Sequence, residues 1–148
     1  MPYEVYKVLH ILGVMLLFVA LGGAAMHGIN GGTKEDNAGR GLVAASHGSA
    51  LVIILVAGFG LLAKLGMASS MPLWVILKLV VWLVMGGVLV ILNKQPKAAK
   101  ALWFALPVLG ALAAYLAITK PGGAAPAAGD DTTEPAKDEA KDEAKDEG

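Results

Sequence analysis

Four side chains that could do chemistry lie within or beside long apolar segments of this chain: His10, His27, His47 and Lys78. An imidazole can serve as a general base or as a ligand of haem or copper. A lysine ammonium can hold an anion or move a proton. Ionisable groups at membrane depth are costly, so they are functional candidates by default. The chain has no cysteine, which excludes thiolate metal sites, disulfides and cysteine nucleophiles.

His10 and Lys78 are predicted to lie at one depth. Each stands near the start of its apolar segment, the first and the third along the chain, and these two run in the same direction in an up-down bundle. With a rise of 1.5 Å per residue, both lie roughly 6–9 Å below the same face. They could share a pocket in which His10 is a ligand or a base. Alternatively, Lys78 snorkels to the interface and His10 bonds a backbone carbonyl.

His27 and His47 form a second candidate pair. His27 ends the first apolar segment and His47 begins the second, so both approach the opposite face. Two imidazoles at equal depth on adjacent helices could ligate a haem or a copper ion. The alternative is a pair of solvated histidines in the headgroup region, since neither a third ligand nor a supporting acid is expected nearby.

The segments that carry these groups are long enough to cross a bilayer. A helical crossing needs about 20 mostly apolar residues. With 56% hydrophobic residues and a mean hydropathy of +0.64, the chain is too apolar for an ordinary soluble domain. We therefore expect an all-α integral membrane protein. The apolar segments are residues 8–26, 42–63, 71–92 and 101–119.

Short connections force neighbouring helices to lie antiparallel, which predicts an up-down four-helix bundle. The helices are expected at about residues 6–27, 42–65, 72–93 and 100–119. Lipid supplies no hydrophobic drive between helices, so small residues must allow close packing. The candidates for this role are Gly13, Ala20, Gly22, Gly23, Gly58, Gly60, Gly86, Gly87, Gly110 and Ala114.

Residues 121–148 differ from the rest of the chain. An Ala/Pro/Gly-rich stretch is followed by repeats of Ala-Lys-Asp-Glu, and nine of the twelve acidic residues lie after Gly129. This composition has no apolar face to bury and predicts disorder. No basic cluster precedes it, which argues against nucleic-acid binding.

The distribution of basic residues predicts the orientation. The connections after the first and third helices carry more of them than the opposite side, so the positive-inside rule places both termini outside. In a bacterium they would be periplasmic, with the first helix retained rather than cleaved as a signal. One side holds Lys34, Arg40, Lys94, Lys97 and Lys100, and the other holds Lys7, Lys64 and Lys120.

Three short motifs resemble a group of small bacterial membrane proteins. The segment Lys7–Val14 (KVLHILGV), the run Leu21-Gly22-Gly23 and the triplet Leu77-Lys78-Leu79 are similar to segments of the SirB, copper-resistance D and HemJ-type families. The resemblance implies a four-helix membrane fold. From the HemJ type it further implies haem binding by His10 and a required role for Lys78.

Two functions are compatible with these features. The first is a non-enzymatic inner-membrane protein: an accessory subunit, an assembly factor or a small binding protein that docks on a larger complex or self-associates. No acidic residue lies within any apolar segment, so no evident proton or cation relay crosses the bilayer. The alternative is a haem-binding redox or tetrapyrrole-related protein that uses His10 with Lys78, or His27 with His47.

Overall fold

The computed structural model describes residues 1–122, and in that part of the chain it is all helical, without strands. This confirms the predicted all-α four-helix fold. Of the segment predicted to be disordered, residues 123–148 lie outside the described residues. The elements are α1 (Tyr3–Ile29), α2 (Arg40–Lys64), α3 (Leu73–Lys94), a single 3-10 turn (Pro96–Ala98) and α4 (Ala99–Thr119).

The helix ends follow local backbone chemistry. Gly31 has a φ of +84°, and the N–H of Gly32 donates to the carbonyl of His27 at 3.0 Å, which closes the last turn of α1. Pro72 was expected inside the first turn of α3. Instead it immediately precedes the helix, and its carbonyl accepts the N–H of Val75 at 2.9 Å. A proline fits there because no N–H is required of it.

All four helices are long and apolar enough to cross a membrane. Large apolar side chains cover their outer surfaces: Val19, Phe104 and Ile118 are 72%, 75% and 81% exposed. Apolar exposure on every helix far exceeds the isolated patches of a soluble monomer. Lipid is the solvent that suits such a surface, and the chain is a multi-pass membrane protein.

α1 lies at the centre of the helix contacts and packs against the other three helices. Within residues 1–122, α2 and α4 do not contact each other and occupy opposite corners of the bundle. Neighbouring helices run antiparallel. The end of the bundle where α1 and α3 begin is called the terminal face below, and the end where they finish is called the loop face.

Small residues bring α1 and α2 together. A Cβ atom on Gly13 would lie 2.9 Å from Cγ1 of Ile54 and 3.2 Å from its backbone nitrogen. The ring of Tyr6 occupies the space that a side chain at Gly60 would need. Other predicted small residues do not pack in this way: Gly22, Gly23 and Gly87 have open space where a Cβ would be.

The buried core fills the middle and the loop-face half of the bundle. Leu21 is fully buried and Val88 is 1% exposed, and buried residues of α1, α2, α3 and α4 surround them. The terminal-face half is packed differently. There the four helices enclose a cavity.

Candidate functional site

A cavity of about 370 Å³ lies between the four helices in the terminal-face half of the bundle. Its walls come from residues 10–18 of α1, 54–62 of α2, 74–85 of α3 and 110–117 of α4. Most of the lining is aliphatic or aromatic. Mostly apolar walls with a few polar groups are the usual composition of a small-molecule site.

The cavity reaches the outer surface of the bundle. Ile11 and Phe59 line it and are each 45% exposed, and Ala114 on α4 is also exposed. These residues belong to the apolar helices rather than to their connections. The opening therefore faces the acyl chains of the bilayer.

His10 contributes an imidazole to the α1 wall. Its Nδ1 lies 3.0 Å from the carbonyl oxygen of Ile54 on α2. A carbonyl can only accept, so Nδ1 carries the hydrogen and donates it. Gly58 leaves room for the His10 ring, because a Cβ atom on Gly58 would lie 3.4 Å from the Cε1 of His10. The backbone bond predicted as one alternative is thus present, in a residue that also lines the cavity.

Lys78 and Trp74 line the α3 wall together. The Lys78 Nζ lies 5.7 Å from the centroid of the Trp74 ring. Trp74 precedes Lys78 by four residues and lies one helical turn nearer the terminal face. Trp74 is only 9% exposed, and its Nε1–H has no hydrogen-bond partner among the described residues. A buried donor without a partner is uncommon and costs about 1–3 kcal/mol. The α3 wall therefore carries a lysine beside a buried tryptophan N–H that has no partner among the described residues.

The positive charge of Lys78 has no counter-ion on the protein within the described chain. No carboxylate of residues 1–122 forms a salt bridge with it. The sequence contains no acidic residue between Asp36 and Asp130. The cavity is therefore an apolar space with one basic wall.

The predicted pairing of His10 with Lys78 agrees with the structure to the extent that both line the same cavity. Trp74 was not among the residues that the sequence singled out. The available signal was its position four residues before Lys78, which puts both on one face of a helix. Trp82 also lines the cavity, and its Nε1–H donates to the carbonyl of Leu51 at 3.1 Å.

His27 lies in the last turn of α1 and contacts the connection between α1 and α2. Its Nε2 lies 2.8 Å from the carbonyl oxygen of Thr33 and 3.0 Å from Oδ1 of Asp36. Asp36 also accepts the backbone N–H of Thr33 at 2.7 Å. The expectation that no acid supports this histidine was wrong, because the tight turn after α1 brings Asp36 back over the helix end. The Thr33 N–H, and secondarily the His27 imidazole, hold the pKa of Asp36 below its ordinary value.

Acid is expected to loosen this connection. Because the pKa of Asp36 is lower in the folded protein than in the unfolded chain, its stabilisation is complete above about pH 4 and is lost as the pH falls through the folded-state pKa. The Thr33 amide should therefore lose its protection against hydrogen exchange as the pH falls below about 4. The Asp36→Asn protein should lack this pH response, and an identical response in both proteins would contradict the assignment.

His47 lies on the α2–α3 contact and is 6% exposed. Its Nε2 lies 3.3 Å from the carbonyl oxygen of Met85, to which it donates. His27 and His47 thus have separate partners, the first in the loop-face connection and the second on α3. Among residues 1–122, no group of three histidine or carboxylate side chains is placed to hold a metal ion.

Comparisons with known protein families, with curated proteins and with solved structures gave no match for this chain. The resemblance to the SirB, copper-resistance D and HemJ-type group therefore stays a prediction. So does haem binding by His10 with Lys78 or by His27 with His47. The cavity is the feature of the molecule that bears most directly on function.

Proposed function

We propose that this protein is a non-enzymatic membrane protein that binds a small, mostly apolar molecule between its four helices. The observation that carries the proposal is the 370 Å³ cavity, whose mostly apolar lining includes His10, Lys78 and Trp74. Its volume lies near the lower end of the range of about 300–1,000 Å³ for ligand sites. A binding role accounts for both the apolar walls and the few polar groups at one end.

The cellular setting belongs to the same proposal. The excess of lysine and arginine on the loop face supports a bacterial inner-membrane location with periplasmic termini. The resemblance to small bacterial membrane proteins supports the same setting. In that orientation the cavity lies in the periplasmic half of the bilayer, and its ligand enters from the outer leaflet. The binding protein would act alone, as a homo-oligomer or as the accessory subunit of a larger membrane complex.

A cavity-filling variant tests the binding role. Ala114 lines the cavity, whereas Ala111, three residues earlier on α4 and also exposed, does not. Purified wild-type protein should carry a co-purifying small molecule that native mass spectrometry detects. Ala114→Phe should lose most of it because the new ring occupies the opening, and Ala111→Phe should retain it.

Two results would contradict the binding role: wild-type protein with no bound molecule, or equal occupancy in the two alanine variants. The absorption spectrum of the same preparation tests the haem alternative. A Soret band in the wild-type protein that vanishes in His10→Ala would show that the bound molecule is haem.

A further inference from the structure

We infer that the ligand of this cavity is a single-chain amphiphile with an oxyanion head group, held between the ammonium of Lys78 and the indole N–H of Trp74. The inference rests on the proposed binding function and names the chemical class of the ligand. A carboxylate and a phosphate monoester share the necessary chemistry. Three features of the site support it.

The first feature is the uncompensated charge. Lys78 stands within an apolar helix, and no carboxylate of the described residues pairs with it. An unpaired charge at membrane depth is unfavourable, and an opposite charge with good hydrogen-bond geometry offsets much of that cost. A neutral ligand would fill the space but leave the ammonium without a counter-ion. An anionic head group removes this deficit.

The second feature is the unused donor beside that charge. Trp74 is more than nine-tenths buried, lines the cavity, and has no partner for its Nε1–H within residues 1–122. Lys78 lies one turn further along the same face of α3, with its Nζ 5.7 Å from the indole centroid. Each oxygen of a carboxylate or phosphate accepts hydrogen bonds, so one head group can take both donors.

The third feature is the shape and surroundings of the space. Apolar side chains of four helices form the remainder of the wall, and exposed lining residues such as Ile11 and Ala114 place the opening against lipid. An acyl chain already dissolved in the bilayer reaches such an opening without crossing water. A volume near the lower limit for ligand sites suits one chain better than two.

Matched ligands with one chain length test the head-group preference. Delipidated protein in detergent is titrated with palmitic acid at a pH where it is ionised, with methyl palmitate and with palmitoyl lysophosphatidic acid. We expect an anionic ligand to bind about tenfold or more tightly than the ester, which is the usual strength of a charge-assisted hydrogen bond. Preference for the acid identifies a carboxylate head, and preference for the lysophosphatidic acid identifies a phosphate.

Variants locate the preference at the α3 wall. Lys78→Met should abolish the difference between anion and ester, whereas Lys64→Met should preserve it. Lys64 is an exposed lysine at the same face and does not line the cavity, so this control removes an equal charge. Trp74→Phe should weaken anion binding about tenfold, near the lower end of the range for a hydrogen bond with one charged partner.

Equal affinity of wild-type protein for the anions and the ester would overturn the inference and leave the binding function intact. The same holds if Lys78→Met retains the full preference. Failure of wild-type protein to bind any of the three ligands would overturn the inference, whereas the search for a co-purifying molecule tests the binding function separately. Thermal unfolding of each variant verifies that it is folded. Lys78→Met should pass, because an apolar side chain of similar length suits this environment.

Discussion

Replacement of Gly13 by leucine is expected to destabilise the folded bundle by about 1–3 kcal/mol, the range for overpacked interiors. A Cβ at this position would lie 2.9 Å from Cγ1 of Ile54 and 3.2 Å from the backbone nitrogen of Ile54. The side chain could rotate away, but the backbone of α2 moves only if the two helices separate. Separation would also break the bond from His10 to the Ile54 carbonyl, so ligand binding should fall with stability.

Gly23→Leu is the matched control for this prediction. Gly23 lies on the same helix and has open space where its Cβ would be, so the substitution should leave stability nearly unchanged. Thermal unfolding in detergent, followed by tryptophan fluorescence, measures both variants. Equal losses in the two proteins would show that the contact between Gly13 and α2 does not hold the helices together.

Leu21→Ala is expected to lower the free energy of unfolding by about 2 kcal/mol, at the low end of the range for buried leucines. Leu21 is fully buried in the core around Val88. The loss is expected to be smaller than in most soluble proteins, because a separated helix in a membrane exposes its leucines to lipid rather than to water. What remains is the loss of dispersion contacts around an unfilled space.

The control for Leu21→Ala is the same substitution at Leu12, which lies on α1 and is 52% exposed. About half of the Leu12 side chain already contacts lipid in the folded protein, so Leu12→Ala should lower the free energy of unfolding much less. The two free energies of unfolding are measured in one detergent. A cost at Leu12 equal to that at Leu21 would refute the division between core and lipid-facing surface.

These two variants perturb different halves of one bundle. Leu21 lies in the close-packed part, where side chains from all four helices meet. Gly13 lies near the cavity, where α1 and α2 are in close contact although the four helices leave a space between them. A packed half can hold the four helices in register while the other half stays open to a ligand.

Much of the site could be predicted from the sequence because depth in a membrane is proportional to residue number along a helix. His10 and Lys78 were therefore expected at one level below one face, and both line the cavity there. Trp74 could not be singled out in this way. Its burial depends on how α3 is rotated about its own axis, and a segment that is apolar on every side does not specify that rotation.

The contact between His27 and Asp36 escaped prediction for a related reason. The two residues are nine positions apart, and only the left-handed conformation at Gly31 turns the chain so that the acid lies over the helix end. A glycine-containing loop indicates a turn without specifying where its side chains meet. The sequence likewise placed His47 near the start of α2, but its contact with Met85 depends on how α2 and α3 are rotated about their axes.

The sequence by itself determined the number of helices, their approximate limits and the solvent that surrounds them, because long uncharged stretches have few stable alternatives to helices in lipid. Tertiary structure alone decided which small residues pack, which donors lack partners and where the helices stand apart. The physical reason is that hydrophobic burial does not orient helices in a bilayer. Their rotation is set by close packing at positions such as Gly13, and such contacts become visible only when the helices are assembled.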